Sequence, residues 1–209
     1  MSKEQVFIAK GNAPWINSSW KWKDNIANKF VSERVVCKDI LNMAFMFYGC
    51  HDLISLDLSN FDTSNVFAMY GMFNFCENLN ALDLSNFDTT NVDDMSYMFG
   101  NCENLTTLDL SSFDTSIVTS MHNMFDSCSN LTSVDISNFD TSNVTKMWKM
   151  FYGCSNLTTI KGIIDMKSCE DYEDMFYNCP KLRGVKIKNP PAGFESVSGL
   201  SKSQYTVIY

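Results

Sequence analysis

Apolar and polar positions along this chain follow one pattern, copied many times. Its clearest copy runs from Asn78 to Cys102. In Leu82-Asp83-Leu84 leucines alternate with an aspartate, which predicts a short strand with Asp83 on the outside. A turn follows at Phe87 and Asp88. From Val92 onward the pattern changes period. Val92, Met95, Met98, Phe99 and Cys102 fall within about a 120° arc at helical spacing, which predicts an amphipathic helix. Thr90 or Asp88 would cap its start. Asn104 would take the left-handed conformation that often ends a helix, and Asn78, Asn130 and Asn156 repeat that position.

The copies are in register. Cys50, Cys76, Cys102, Cys128 and Cys154 are each 26 residues apart, and Cys179 follows after 25. Phe61, Phe87, Phe113 and Phe139 each open the tripeptide FDT. A unit of this length with LxxLxL spacing points to stacked leucine-rich repeats. One unit cannot bury its own apolar face, so neighbours must do it. Strands in adjacent copies would lie about 4.8 Å apart and packed helices about 8–10 Å. That mismatch would bend the stack with the strands inside. The predicted fold is therefore an α/β repeat solenoid, a horseshoe segment with parallel strands on the concave side and helices on the convex side, capped at both ends.

The run LDLSNFDTSNV followed by MxxMFxxC resembles the BspA-like leucine-rich repeats, found in surface proteins of mycoplasmas, oral and gut bacteria and some parasitic protists. The resemblance covers roughly residues 35–181 and is most specific over the four central copies. It implies adhesion or protein binding without catalysis.

The ends break the pattern. Residues 1–34 carry Trp15, Trp20 and Trp22 and are expected to cover the open end of the stack, or to offer an aromatic patch. The solenoid itself spans 35–181, with four full copies in 53–156 and degenerate ones on either side. Residues 182–209 read as capping strands, one around Val185 and one at Tyr205–Tyr209.

Charge changes the picture more than composition does. The net charge is −8. Residues 51–145 hold 14 acidic side chains and no lysine or arginine, while both ends are mildly basic. This argues against direct nucleic-acid binding. Thirteen methionines mostly fill the repeat's apolar columns and read as adaptable core. Six of eight cysteines share one inward column, and the helix spacing predicts buried free thiols rather than disulfides. No signal peptide or membrane span is visible, so the chain as given reads as cytoplasmic, or as an excised piece of a longer secreted one.

Two sets of columns remain for chemistry. Asp57, Asp83, Asp109 and Asp135 point outward from consecutive strands. At about 4.8 Å such charges repel by roughly 0.9 kcal/mol even in water, so something must offset them. Local hydrogen bonds, a basic partner or calcium would serve, calcium being weakest because no EF-hand spacing is present. Asp62, Asp88, Asp114 and Asp140 of FDT read as turn-bonding residues. On the helix side, Tyr70, Tyr97 and Trp148 stand in variable columns and are candidate interface anchors. His51 and His122 lack nucleophilic partners, and no phosphate loop or metal motif appears, so no catalytic residue, metal site or cofactor is expected.

The leading functional reading is a non-catalytic protein-binding module that uses the acidic strand face or the aromatic helix face. Its partner would be a protein, either basic or itself a nucleic-acid-binding enzyme. An intracellular inhibitor acting by acidic mimicry, and a fragment of a surface adhesin, are the alternatives.

Overall fold

The structure is a computed structural model of the 209-residue chain, and it describes residues 5–8, 35–38, 40–59 and 61–209. For 5–8 and 35–38 only the backbone is described. The tryptophan cover expected at Trp15, Trp20 and Trp22 lies outside the described residues.

Short parallel strands recur along the chain. β1 (Gln5–Ile8) pairs with β2 (Val35–Lys38), and β3 (Ser133–Asp135) with β4 (Thr159–Lys161). β5 (Ile164–Asp165), β6 (Val185–Lys188) and β7 (Tyr205–Ile208) form one sheet in that order. In β3 and β4 the middle residue is buried and its neighbours are exposed, the alternation a half-buried strand demands. Leu82, Asp83 and Leu84 keep the same alternation without a regular ladder.

The helix expected in each copy is absent. Among the described residues α1 (Phe194–Ser198) is the one α-helix. Residues 95–102 form overlapping turns in its place. Alternate amides serve different partners. Met95, Tyr97, Phe99 and Asn101 donate to Ser120, His122, Met124 and Asp126 of the next copy, while Met98, Gly100 and Cys102 donate three residues back within their own copy. The cause is a left-handed residue at two positions per copy. Tyr97 and Asn101 both have φ 57, which interrupts any i to i−4 ladder. Gly71, Asn123, Lys149 and Asp174 take that conformation in the first of these columns, and Gly49, Ser127, Gly153 and Asn178 in the second. With no helix present, Asp88 has nothing to cap. Its carboxylate instead closes a turn with Thr90, and Asn101, not Asn104, is left-handed.

The core lies between the strand side and the turn side. Phe47, Phe73, Phe99, Phe125, Phe151 and Phe176 form a continuous stack with centroids 5.2–5.8 Å apart. Each such contact adds about 0.5–1.5 kcal/mol beyond burial. Turn segments therefore approach one another far more closely than packed helices would. The helix spacing that was to bend the stack does not arise. The column cysteines are buried and free, as expected, but for another reason: each thiol from Cys76 to Cys179 donates to the carbonyl of a core phenylalanine, Cys102 to Phe73 at 3.2 Å for example.

The threonine of FDT is a second internal column. Thr89 donates to the carbonyl of Asp114 at 2.8 Å and accepts from its N–H at 2.8 Å. Thr63, Thr115 and Thr141 do the same for Asp88, Asp140 and Asp165. All four are buried, so one hydroxyl satisfies two backbone groups where the strands do not pair.

At the C-terminal end, α1 joins the expected strands. Val197 and Ser198 offer carbonyls to the amides of Asp174 and Phe176, the last turn-side donors of the repeat.

Candidate functional site

The repeat leaves two surfaces for chemistry. On the strand side, the outward aspartates are engaged locally. Asp57, Asp83, Asp109 and Asp135 each accept from the amide of the serine two residues on, at 2.9–3.0 Å. These bonds to Ser85, Ser111 and Ser137 hold the carboxyls of Asp83, Asp109 and Asp135 below the ordinary range. For Asp109 the flanking Asp83 and Asp135 push the other way, with smaller effect. Lys161 adds an ion pair to Asp135 at 3.5 Å. The FDT aspartates are similar: Asp114 and Asp140 accept from Ser116 and Ser142 and are likewise lowered. The repulsion along this column is thus offset by serine donors in the same repeat.

The turn side is built differently. Tyr97, His122 and Trp148 sit on three successive copies and touch. His122 stacks on Trp148 at 4.6 Å and meets the edge of Tyr97 at 5.0 Å. Ser120 Oγ lies 2.7 Å from His122 Nδ1, and burial holds the imidazole below its ordinary pKa, with Lys146 adding to the effect and Asp94 and Asp171 opposing it. Tyr97's phenol is pushed up, first by burial and then by Asp126. The structure therefore joins Tyr97 and Trp148 but places Tyr70 elsewhere. Tyr70 packs edge-on against Phe45 at 5.0 Å, Phe45 meets Tyr48 at 5.4 Å, and Tyr48 meets Phe75 at 5.6 Å. Tyr70, Tyr97 and Trp148 are half-buried; the more open rings are Phe45 and Tyr48, 37% and 44% exposed.

Phe45, Tyr48 and Phe75 were not singled out from the sequence. Phe45, Phe75 and Tyr97 share a further property: each is left-handed, with φ of 57, 62 and 57. A bulky residue there costs on the order of 1–3 kcal/mol. The available signal was in the columns themselves, where other copies place Gly71, Gly49, Asn123 or Asn178. Beside this surface Asn123 Oδ1 is a buried acceptor with no hydrogen-bond partner among the described residues.

No group of three or more His, Cys, Asp or Glu that could hold a metal ion occurs among the described residues. No helix there is long and apolar enough to cross a membrane. No curated protein and no solved structure matches the chain. Two overlapping family matches cover residues 22–109 and 83–189, and by them the chain belongs to the family described as "Mycoplasma protein of unknown function, DUF285".

Proposed function

We propose that the chain is a non-catalytic protein-binding module of the BspA-like leucine-rich type that meets its partner through the aromatic turn face. The observation that carries this is the placement of Phe45, Phe75 and Tyr97. The fold accepts glycine or asparagine at their positions without strain, so an aromatic ring there carries a backbone cost that only its contacts with Tyr48, Tyr70, His122 and Trp148 offset, and it stays partly exposed. Rings kept against that cost fit an interface, where aromatic residues supply most of the binding energy. The strand-side aspartates are less suited to the role, because serine amides in the same repeat already engage them.

The same reading takes the hydrogen-bonded copies as turns of a solenoid. Close spacing on the turn side favours a straighter stack than a horseshoe, which small-angle scattering would distinguish.

Affinity capture from the native cell tests the function. The wild-type chain and the double variant Phe75→Gly/Tyr97→Asn are used as bait, with proteins identified by mass spectrometry. A protein held by wild type and lost from the variant is expected. Equal capture by both, or capture that vanishes only with Asp83→Asn/Asp109→Asn/Asp135→Asn, overturns the reading; the second outcome would favour acidic mimicry.

A further inference from the structure

We infer that the aromatic turn face receives arginine and lysine side chains from a positively charged segment of its protein partner. This rests on the protein-binding reading above and names the chemistry of that partner. The chain carries its own example of the contact. Lys149 Nζ sits 5.1 Å from the centre of the Tyr152 ring, within reach of a cation–π attraction. Lys149 and Tyr152 occupy the columns that Phe45 and Tyr48 fill in the first copy, and Tyr97 stands two copies before Lys149 in its column.

From His51 to Thr145 the chain has no lysine or arginine, so Tyr70, Phe75 and Tyr97 receive no such cation from that whole stretch. Carboxylates lie close to Phe75 and Tyr97 along the chain. Exposed Asp93 and Glu103 flank the turn segment that carries Tyr97, half-buried Glu77 follows Phe75 by two residues, and Asp126 is near enough to Tyr97 to shift its phenol. A guanidinium or ammonium laid on these rings gains attraction from both ring face and carboxylate. His51 already meets Glu77, and Asn123 and Ser127 donate to Asp126, so Asp93 and Glu103 are the carboxylates that a purely apolar partner would leave uncompensated, while an acidic partner would be repelled. Arginine should be favoured over lysine, because its planar, weakly hydrated group stacks on rings.

The test uses the whole chain and fluorescein-labelled peptides of alternating arginine and glycine, lysine and glycine, or glutamate and glycine, read by fluorescence anisotropy. Arginine–glycine is expected to bind tightest and glutamate–glycine not at all. Phe75→Gly/Tyr97→Asn, whose new residues suit the left-handed backbone, should raise the Kd about tenfold, on the order of two lost ring contacts. Asp83→Asn/Asp109→Asn/Asp135→Asn should change it by no more than about twofold, as expected of exposed charges on the other surface. No arginine–glycine binding, or binding that depends on the aspartates and not on the rings, overturns the inference. Ring-dependent capture from the cell without peptide binding would sink the cation chemistry alone. No ring-dependent capture at all would sink the function as well.

Discussion

The strand face and the turn face are made from the same repeat, yet they treat their side chains in opposite ways. On the strand face one residue type recurs at one position, Asp57, Asp83, Asp109 and Asp135, each bonded to a serine of its own copy. On the turn face the occupant changes from copy to copy, and the bulky ones sit where the backbone resists them. A periodic column of this kind reports what every copy needs to close its own turn. A column that breaks its period at a cost in stability reports something the stack alone does not require.

Two glycines give the largest expected effects and test how rigid each face is. Gly162 has φ 104, and a Cβ there would lie 2.7–2.9 Å from backbone atoms of Ile136 and Ser137. Those atoms cannot swing aside, so Gly162→Ala should cost more than about 3 kcal/mol in urea unfolding. Gly71 has φ 62, but its Cβ would meet the ring of Phe45, a side chain that can move. Gly71→Ala should cost about 1–2 kcal/mol and displace that ring. Equal losses would mean that the two faces are equally stiff.

Next comes the threonine column between the faces. Thr89→Val leaves the N–H and carbonyl of Asp114 without the hydroxyl they share, and about 1–3 kcal/mol should be lost. On the turn face, Phe75→Gly should change stability far less. Relief of the left-handed backbone is set against the lost Tyr48 contact and the greater unfolded-state freedom of glycine, which predicts a net change within about 1 kcal/mol of zero. A clear destabilisation would show that Phe75 supports the fold, and the comparison would fail.

The aspartates should give the smallest change at neutral pH. Asp83→Asn/Asp109→Asn/Asp135→Asn should move Tm by a few degrees at most. The difference appears in acid. The folded-state pKa values of Asp83, Asp109 and Asp135 lie below the ordinary 3.8. Their contribution is therefore complete above that value and is lost as pH falls through the lower folded values. Wild type should lose stability below about pH 4 more steeply than the triple variant. Parallel acid curves would remove the serine bonds from the account of this face.

Much of the fold was legible because its columns are apolar. Leu82 and Leu84 are buried and Asp83 is exposed, as alternation requires. Met95, Met98, Phe99 and Cys102 are buried as well, but not on a helix. Overlapping three-residue turns return the same side as often as a helix does, so apolar spacing could not separate them. Backbone preference could: glycine and asparagine recur at the left-handed positions, a signal of turns rather than of a helix interior. The surface was legible in the same uneven way. Tyr97 and Trp148 stood out as aromatics in variable columns. Phe45 and Phe75 did not, because their significance lies in a torsion angle. The buried hydroxyls of Thr63, Thr89, Thr115 and Thr141 were hidden inside the FDT motif, where a short polar residue next to an aspartate reads as surface turn.

The forward-donating amides of the turn side have one further consequence. In copy after copy, Phe45, Tyr97, Asn123 and Lys149 donate their N–H groups toward the C-terminal end, to the carbonyls of Tyr70, His122, Trp148 and Glu173 in the next copy. Peptide units aligned this way add their dipoles, as they do in an α-helix but with the reverse polarity relative to chain direction. The partial positive charge gathers at the C-terminal end of the turn side, where α1 meets it with the carbonyls of Val197 and Ser198. The stack thus has a donor end and an acceptor end, and a further copy could join in one orientation only.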